Sequence, residues 1–356
     1  MKYKNILITG GAGFVGSNLA IKFKNKYQNI NVTALDNLKR RGSELNLNRL
    51  RQAGVKFIHG DIRNNEDFEE AGETDLIFEC SAEPSVMAGI NSSPAYLINT
   101  NLNGTINCLE FARKTKADFV FISTSRVYPI ERINELNYSE TENRFILEDT
   151  QKVPGATSMG IAENFPLDGA RSLYGTTKLS SEMLLQEYIY NFGIKGFIDR
   201  CGVITGPWQM GKFDQGVFVL WAARHIYGGK LAYIGYGGEG KQVRDFMHID
   251  DLFELLDIQI NDMNKYNSGI FNTGGGLKNS VSLKELTKVC QEITGKKINI
   301  ESVKETRSAD LKLYISNYEK IKKLSGWEPK RDINKTISDI SDWIEENKES
   351  LRPILN

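Results

Sequence analysis

Over its first 205 residues the chain alternates short β-branched and aromatic runs with longer amphipathic stretches. Residues 4–9 (KNILIT) predict a buried strand and 14–27 a helix. Residues 31–35 (NVTAL), 55–59 (VKFIH), 75–79 (DLIFE) and 118–123 (DFVFIS) continue the strands, with one long helix expected over 94–115. A helix over 174–192 precedes a sixth strand at 195–201 (KGFIDRC). Strands separated by helical patterns imply βαβ units. The fold class expected is therefore α/β, a doubly wound, Rossmann-type parallel sheet. From about residue 206 glycine and aromatic residues become dense, as in Gly228-Gly229 and Gly235-Tyr236-Gly237-Gly238, and helices are expected over 215–227, 250–261, 282–294 and 332–347. This reads as a smaller C-terminal substrate-binding lobe, interleaved with the first domain rather than tethered to it. The expected division is 1–205 for the dinucleotide-binding domain and 206–356 mainly for the lobe, parts of which return to the first domain.

The 356 residues include 45 basic and 45 acidic side chains, and 40% of them are hydrophobic. That balance supports a sizeable core and argues against a protein that tracks a nucleic-acid backbone. Met1-Lys2-Tyr3-Lys4-Asn5 runs straight into a strand-like stretch without the apolar core of a signal peptide, and no run approaches the roughly 20 apolar residues that cross a bilayer. A cytoplasmic protein with no nucleic-acid or membrane partner is expected. Cys80, Cys108, Cys201 and Cys290 form no metal-ligand spacing with one another or with His59, His225 and His248. Reduced thiols and no metal are expected.

Chemistry enters at Thr9-Gly10-Gly11-Ala12-Gly13-Phe14-Val15-Gly16, which leaves the first strand and opens the first helix. A chain that turns tightly and brings its backbone against a pyrophosphate needs glycine, and the helix N-terminus then faces the negative charge. Gly10, Gly13, Phe14 and Val15 are the expected contacts, and Gly16 permits close helix–strand packing. Asp36 ends the second strand twenty residues beyond Gly16, where a carboxylate holds the adenosine ribose hydroxyls. With Asn37 it completes a dinucleotide site. The carboxylate favours NAD over NADP, since it repels a 2′-phosphate. Lys39-Arg40-Arg41 could instead grip that phosphate, or could be a solvated loop. Asp61-Ile62 is placed to cap the adenine, and Cys80-Ser81-Ala82 to line the pyrophosphate and ribose.

Tyr174 and Lys178, in YGTTK, stand four residues apart and so share one helix face. A free phenol titrates near 10 and is a poor base at neutral pH. A neighbouring ammonium and a nicotinamide cation both favour the phenolate. Tyr174 could then remove a hydroxyl proton while hydride leaves the same carbon. Ser123-Thr124-Ser125, at the end of the fifth strand, offers a hydroxyl to orient the substrate oxygen.

With these residues assembled, the sequence resembles the extended short-chain dehydrogenase/reductase family, the nucleotide-sugar epimerases and dehydratases. The likeness runs through GGAGFVG, Asp36, Asn101-Leu102-Asn103-Gly104-Thr105, STSRVY, YGTTK and GKQVRDFMHIDDL. It implies Thr124, Tyr174 and Lys178 as the catalytic trio, Lys178 also holding the nicotinamide ribose and Asn101 lying near the nicotinamide. It also implies a homodimer or higher homo-oligomer through the helices over 94–115 and 174–192.

Departures from the family pattern narrow the activity. The 4,6-dehydratases resemble one another in an Asp-Glu pair directly after the catalytic threonine, where this chain has Ser125 and Arg126. Without those carboxylates dehydration loses its acid and base, and Ser125 and Arg126 become expected substrate contacts. The segments Phe213-Asp214-Gln215-Gly216-Val217-Phe218 and Gly240-Lys241-Gln242-Val243-Arg244-Asp245 resemble those of the CDP-tyvelose (CDP-paratose) 2-epimerases. Gln215 is an expected substrate contact. Arg244, and Arg307 in Thr306-Arg307-Ser308-Ala309-Asp310, could pair with a diphosphate, and Asp310 with a nucleotide ribose. The reading is an NAD-dependent epimerase that inverts C2 of a CDP-linked deoxyhexose through a 2-keto intermediate. A UDP-sugar 4-epimerase, a nucleotide-sugar ketoreductase and, from another class, a non-catalytic dinucleotide sensor are the alternatives.

Overall fold

The computed structural model describes residues 1–90, 92–211, 215–307 and 309–356. Its main sheet uses β1 (Asn5–Thr9), β2 (Asn31–Asp36), β3 (Lys56–His59), β4 (Leu76–Glu79), β5 (Asp118–Thr124), β6 (Gly196–Cys201) and β7 (Ile270–Thr273). The seven strands lie in the order β7-β6-β5-β4-β1-β2-β3. The pairs β1–β2, β1–β4, β2–β3 and β4–β5 are parallel, and the order reverses beside β1. A parallel ladder needs a crossover between strands, which the helices supply. β4 and β6 are buried at every position, and β5 at all but its two ends. Helices therefore cover both faces of the sheet, as the continuous apolar runs require.

Two compact units divide the chain. The first comprises Met1–Val127, Leu173–Arg200 and Phe253–Ile270, and the second comprises Tyr128–Ser172, Cys201–Leu252 and Phe271–Asn356. Against a single cut after residue 205, residues 128–172 and 201–205 group with the second unit, and 253–270 return to the first.

In the first unit, α1 (Phe14–Lys26) follows the glycine run. Its C-terminal end is tied down by Lys26 and Tyr27, which both donate to the Asp257 carboxylate, at 2.6 and 2.7 Å. The core beneath the outer helices gathers Leu7, Leu35, Ile77, Phe119, Phe121 and Leu185. The helix expected over 94–115 is interrupted. Ala95–Ile98 leads into a π-helical turn at Asn99–Asn103, and α-helix resumes at Gly104–Thr115. Tyr174 begins the long helix Leu173–Phe192.

The second unit has a four-stranded sheet. Val243–His248 pairs in parallel with Val203–Thr205 and Leu313–Tyr314, and antiparallel with Ser280–Ser282. The helices Val217–Tyr227, Leu283–Thr294 and Ile333–Glu346 pack against one another. Ser282 starts the second of these with a reciprocal capping box to Glu285. No helix among the described residues is long and apolar enough to cross a membrane.

Candidate active site

The turn between β1 and α1 leaves no room for a side chain at Gly10, Gly11 or Gly16. Gly10 has a φ of 63°, and a Cβ there would lie 2.8 Å from the carbonyl oxygen of Cys80. A Cβ on Gly16 would lie 2.2 Å from the carbonyl oxygen of Gly10, which also accepts the Gly13 N–H at 2.9 Å. Gly13 enters α1 in extended conformation with no side-chain cap, and the first turn, which includes Phe14 and Val15, carries no acidic residue. The leading N–H groups of such a helix suit an anion. Cys80, Ser81 and Ala82 follow β4 directly, and the backbone of Cys80 and Ser81 closes on Gly10.

Asp36 ends β2 and is bound into this turn. Its Oδ2 accepts from the Ala12 N–H at 3.1 Å and its Oδ1 from the Leu38 N–H at 2.8 Å. Burial raises its carboxyl above the ordinary range, against the backbone N–H groups that favour the anion. Asn37 donates to Asp61 at 2.8 Å. The Arg63 guanidinium, 2.6 Å away, is the main cause that holds the Asp61 carboxyl down at about 2. Ile62 turns its side chain into the core, and its carbonyl accepts from Asn107 at 2.8 Å. Lys39 and Arg63 each lie 5.3 Å from the centroid of the Tyr96 ring. A turn whose Cβ positions are filled by backbone, an uncapped helix start and a carboxylate at the end of β2 together fit a dinucleotide.

The hydroxyl of Thr124, the last residue of β5, accepts from the Arg126 N–H at 3.2 Å, within the tight turn Ser125–Val127. Tyr174 and Lys178 are both buried, one turn apart on the long helix. The Lys178 ammonium stands 3.7 Å from the centroid of the Phe121 ring on β5. Asn101 lies in the π turn, a helix form that recurs at functional sites. Its side chain grips the Glu83 backbone in both directions (2.8 and 3.0 Å) and donates to Thr177 at 3.3 Å. Thr177 in turn donates to the Tyr174 carbonyl at 2.8 Å. The π turn is thus wired to the first turn of the tyrosine helix.

Sequence reasoning missed a buried polar layer under these residues. Ser123 donates to Glu182 at 2.5 Å, and Arg200 grips the same carboxylate with Nε and Nη2. The available signals were a glutamate four residues after Lys178, on the same helix face, and the charged pair Asp199-Arg200 inside a strand that otherwise reads as a buried run. Glu79, at the end of β4, belongs to the same class.

The remaining expected contacts lie in the second unit. Gln215 is half-buried just ahead of Val217–Tyr227. Arg244 Nη2 and Asp310 Oδ1 form an ion pair at 3.0 Å. The Asp310 N–H donates to the Arg307 carbonyl at 3.1 Å, and the Tyr236 hydroxyl, not foreseen, donates to the Asp310 carbonyl at 3.0 Å. Arg244, Arg307 and Asp310 are thereby gathered around one turn. Phe213 and Asp214, part of a segment that carried the resemblance, and Ser308, between Arg307 and Asp310, lie outside the described residues.

Comparison with known proteins agrees with this geometry. The profile of the NAD dependent epimerase/dehydratase family matches residues 6–274. CDP-paratose 2-epimerase of Salmonella typhi is 30% identical over 347 residues, covering 95% of this chain and 98% of the relative. Among solved structures, UDP-glucose 4-epimerase of Thermotoga maritima, with UDP-glucose, superimposes with a TM-score of 0.77 at 27% identity, covering 97% of this chain and 99% of the other. The dTDP-glucose 4,6-dehydratase of Bacillus anthracis, in complex with NAD, gives 0.76 at 25% identity, with 99% of each chain covered.

Proposed function

The chain belongs to the NAD dependent epimerase/dehydratase family, and on that footing we propose that it inverts C2 of a CDP-linked deoxyhexose. It is an NAD-dependent enzyme of the nucleotide-sugar epimerase type. The observation that carries the finer reading is the 30% identity to a CDP-paratose 2-epimerase over 95% of the chain. Ser125 and Arg126 support it further, since they stand where a dehydratase of this family resembles its relatives in carrying two carboxylates.

Bound NAD supplies the redox partner at the reacting carbon. The turn over residues 10–16 and Asp36 would hold its pyrophosphate and adenosine ribose, with Asn37, Asp61 and Ile62 toward the adenine. Tyr174 takes the proton of the C2 hydroxyl as that carbon becomes a ketone. Lys178 favours the phenolate by its charge and holds the nicotinamide ribose. Thr124 orients the sugar oxygen, with Ser125 and Arg126 beside the sugar. The 2-keto sugar then presents its other face, and Tyr174 returns the proton as the alcohol re-forms. Arg244 and Arg307 grip the diphosphate, Asp310 the nucleotide ribose, and Gln215 the sugar side of the site. The protein acts in the cytoplasm as a homodimer, for which the exposed Ile98 and Met183 on the two helix segments expected at the interface supply apolar surface.

Proton NMR of the purified protein with CDP-paratose and no added cofactor tests the reading. Inversion at C2, with CDP-tyvelose signals growing to equilibrium, is the expected result. A second reading, a UDP-sugar 4-epimerase, is favoured by the likeness to the Thermotoga maritima enzyme. Under it CDP-paratose stays unchanged, while UDP-glucose develops the signals of UDP-galactose. Consumption of external NAD(P)H would instead identify a ketoreductase.

A further inference from the structure

Glu79 closes β4 and is fully buried. In the parallel β4–β5 ladder it stands opposite Phe121, so the two side chains share one face of the sheet, about 5 Å apart at the backbone. The ring of Phe121 is the one over which the Lys178 ammonium sits, at 3.7 Å. The glutamate is therefore on the strand next to the lysine's aromatic seat. Its Oε1 accepts from Thr105 at 2.6 Å, while its Oε2 has no hydrogen-bond partner among the described residues.

An ammonium as buried as that of Lys178, whose residue is 3% exposed, needs a counter-charge close by. Glu182 is one turn away on the same helix, but its carboxylate is already taken by Arg200 and Ser123. Among charged groups Lys178 is the one that acts on Glu79, and the neighbouring thiols of Cys80 and Cys108 are pushed up by burial and by Glu79 itself. We propose that Glu79 is a positioning residue of the active site, the buried counter-charge that steadies the Lys178 ammonium and couples it, through Thr105, to the Asn101 turn. This rests on Tyr174 and Lys178 being the catalytic pair.

The coupling follows from counting protons. The Thr105 hydroxyl has one hydrogen and two acceptors in reach, Glu79 Oε1 at 2.6 Å and the Asn101 carbonyl at 2.7 Å. When Glu79 is ionised, Thr105 donates to it, and the Ser181 hydroxyl is shared between the Asn101 carbonyl at 3.3 Å and the Thr105 oxygen at 3.2 Å. When Glu79 is protonated, it donates to Thr105, and Thr105 turns to Asn101. Burial, opposed by Lys178 and Thr105, brings the Glu79 carboxyl up to about 7, so both arrangements are within reach of neutral pH. The charge beside Lys178 and the hydrogen bonding of the Asn101 turn change together.

The test is a pH titration of tyrosinate absorbance in the NAD-bound enzyme, taken as the difference between the parent and Tyr174→Phe, which isolates Tyr174 without needing the substrate. Removing the negative charge with Glu79→Gln makes Tyr174 ionise at lower pH, by about one unit, when the same difference is taken in that background. A smaller displacement in the same direction is expected for Thr105→Val, which withdraws the donor that favours the Glu79 anion and serves if Glu79→Gln does not fold. A Tyr174 titration that superimposes on the parent in the folded variant overturns the proposal. If the parent minus Tyr174→Phe difference shows no ionisation below that of a free phenol, the catalytic pair itself is wrong, and the proposal falls with it.

Discussion

Arg200 and Glu182 face each other across the first unit as a buried bidentate pair. The Arg200 Nε lies 3.1 and 3.0 Å from the two carboxylate oxygens and Nη2 lies 2.7 Å from Oε2, with side chains only 3% and 1% exposed. The pair joins β6 to the helix that carries Tyr174 and Lys178. Ser123, next to Thr124, donates to the same carboxylate, so three elements meet at one anion.

Breaking that pair from one side leaves a charge with no route to water. Arg200→Met is expected to cost about 3–5 kcal/mol of stability, because Glu182 stays buried and uncompensated. The double variant Arg200→Met/Glu182→Leu should recover most of the loss, since replacing both partners removes the desolvated charge. Denaturant unfolding of the three proteins measures this. A single-variant loss below about 1 kcal/mol would show that the pair does not organise the layer.

The close approach at Gly16 makes a second expectation. In Gly16→Ala the new methyl would sit 2.2 Å from the Gly10 carbonyl oxygen, so the turn must open. The loss falls on the surface that meets the pyrophosphate, and NAD released on denaturing the purified protein should drop at least about tenfold relative to the parent, equivalent to roughly 1.4 kcal/mol in binding. Unchanged NAD content would place the pyrophosphate elsewhere.

Asp199 offers a test of stability against pH. It lies inside β6, accepts from Gln259 at 3.1 Å, and burial brings its carboxyl up to about 7. Its pKa is higher folded than unfolded, so the folded state binds more protons between the two values. The stability it contributes is complete below the unfolded value of 3.8 and is lost as pH rises through about 7. Asp199→Asn, which carries no charge at any pH, should therefore be more stable than the parent at pH about 8, by on the order of 2 kcal/mol, and gain clearly less near pH 5, where only part of the window between the unfolded and folded values has been crossed. Thermal unfolding at the two pH values decides it, and an equal gain at both would mean that charge is not the cause.

Much of the fold was legible before any coordinates, because the relevant signals are local. Six of the strands and the helix Leu173–Phe192 are found within a few residues of their expected positions. Each is written as a run of apolar residues whose period reports the backbone geometry. The glycine run was legible for the same reason, as its turn and the helix it opens are both encoded within eight residues. The π turn at Asn99–Asn103 was not, since its helical period continues on both sides and Asn101 is held there by the backbone of Glu83, eighteen residues away.

The sequence by itself determined the parallel α/β class, the dinucleotide turn, and the spacing of Tyr174 and Lys178 on one helix face. Hydrophobic period, glycine sterics and helical repeat act over a few residues and need no partner from elsewhere. Only the tertiary structure decided that Glu182 meets Arg200, that Lys178 rests over Phe121 beside Glu79, that Arg244 pairs with Asp310, and that residues 128–172 join the second compact unit. A buried charge is stable only where a distant residue supplies its partner, and which residue arrives is settled by strand order and packing rather than by any neighbour in the chain.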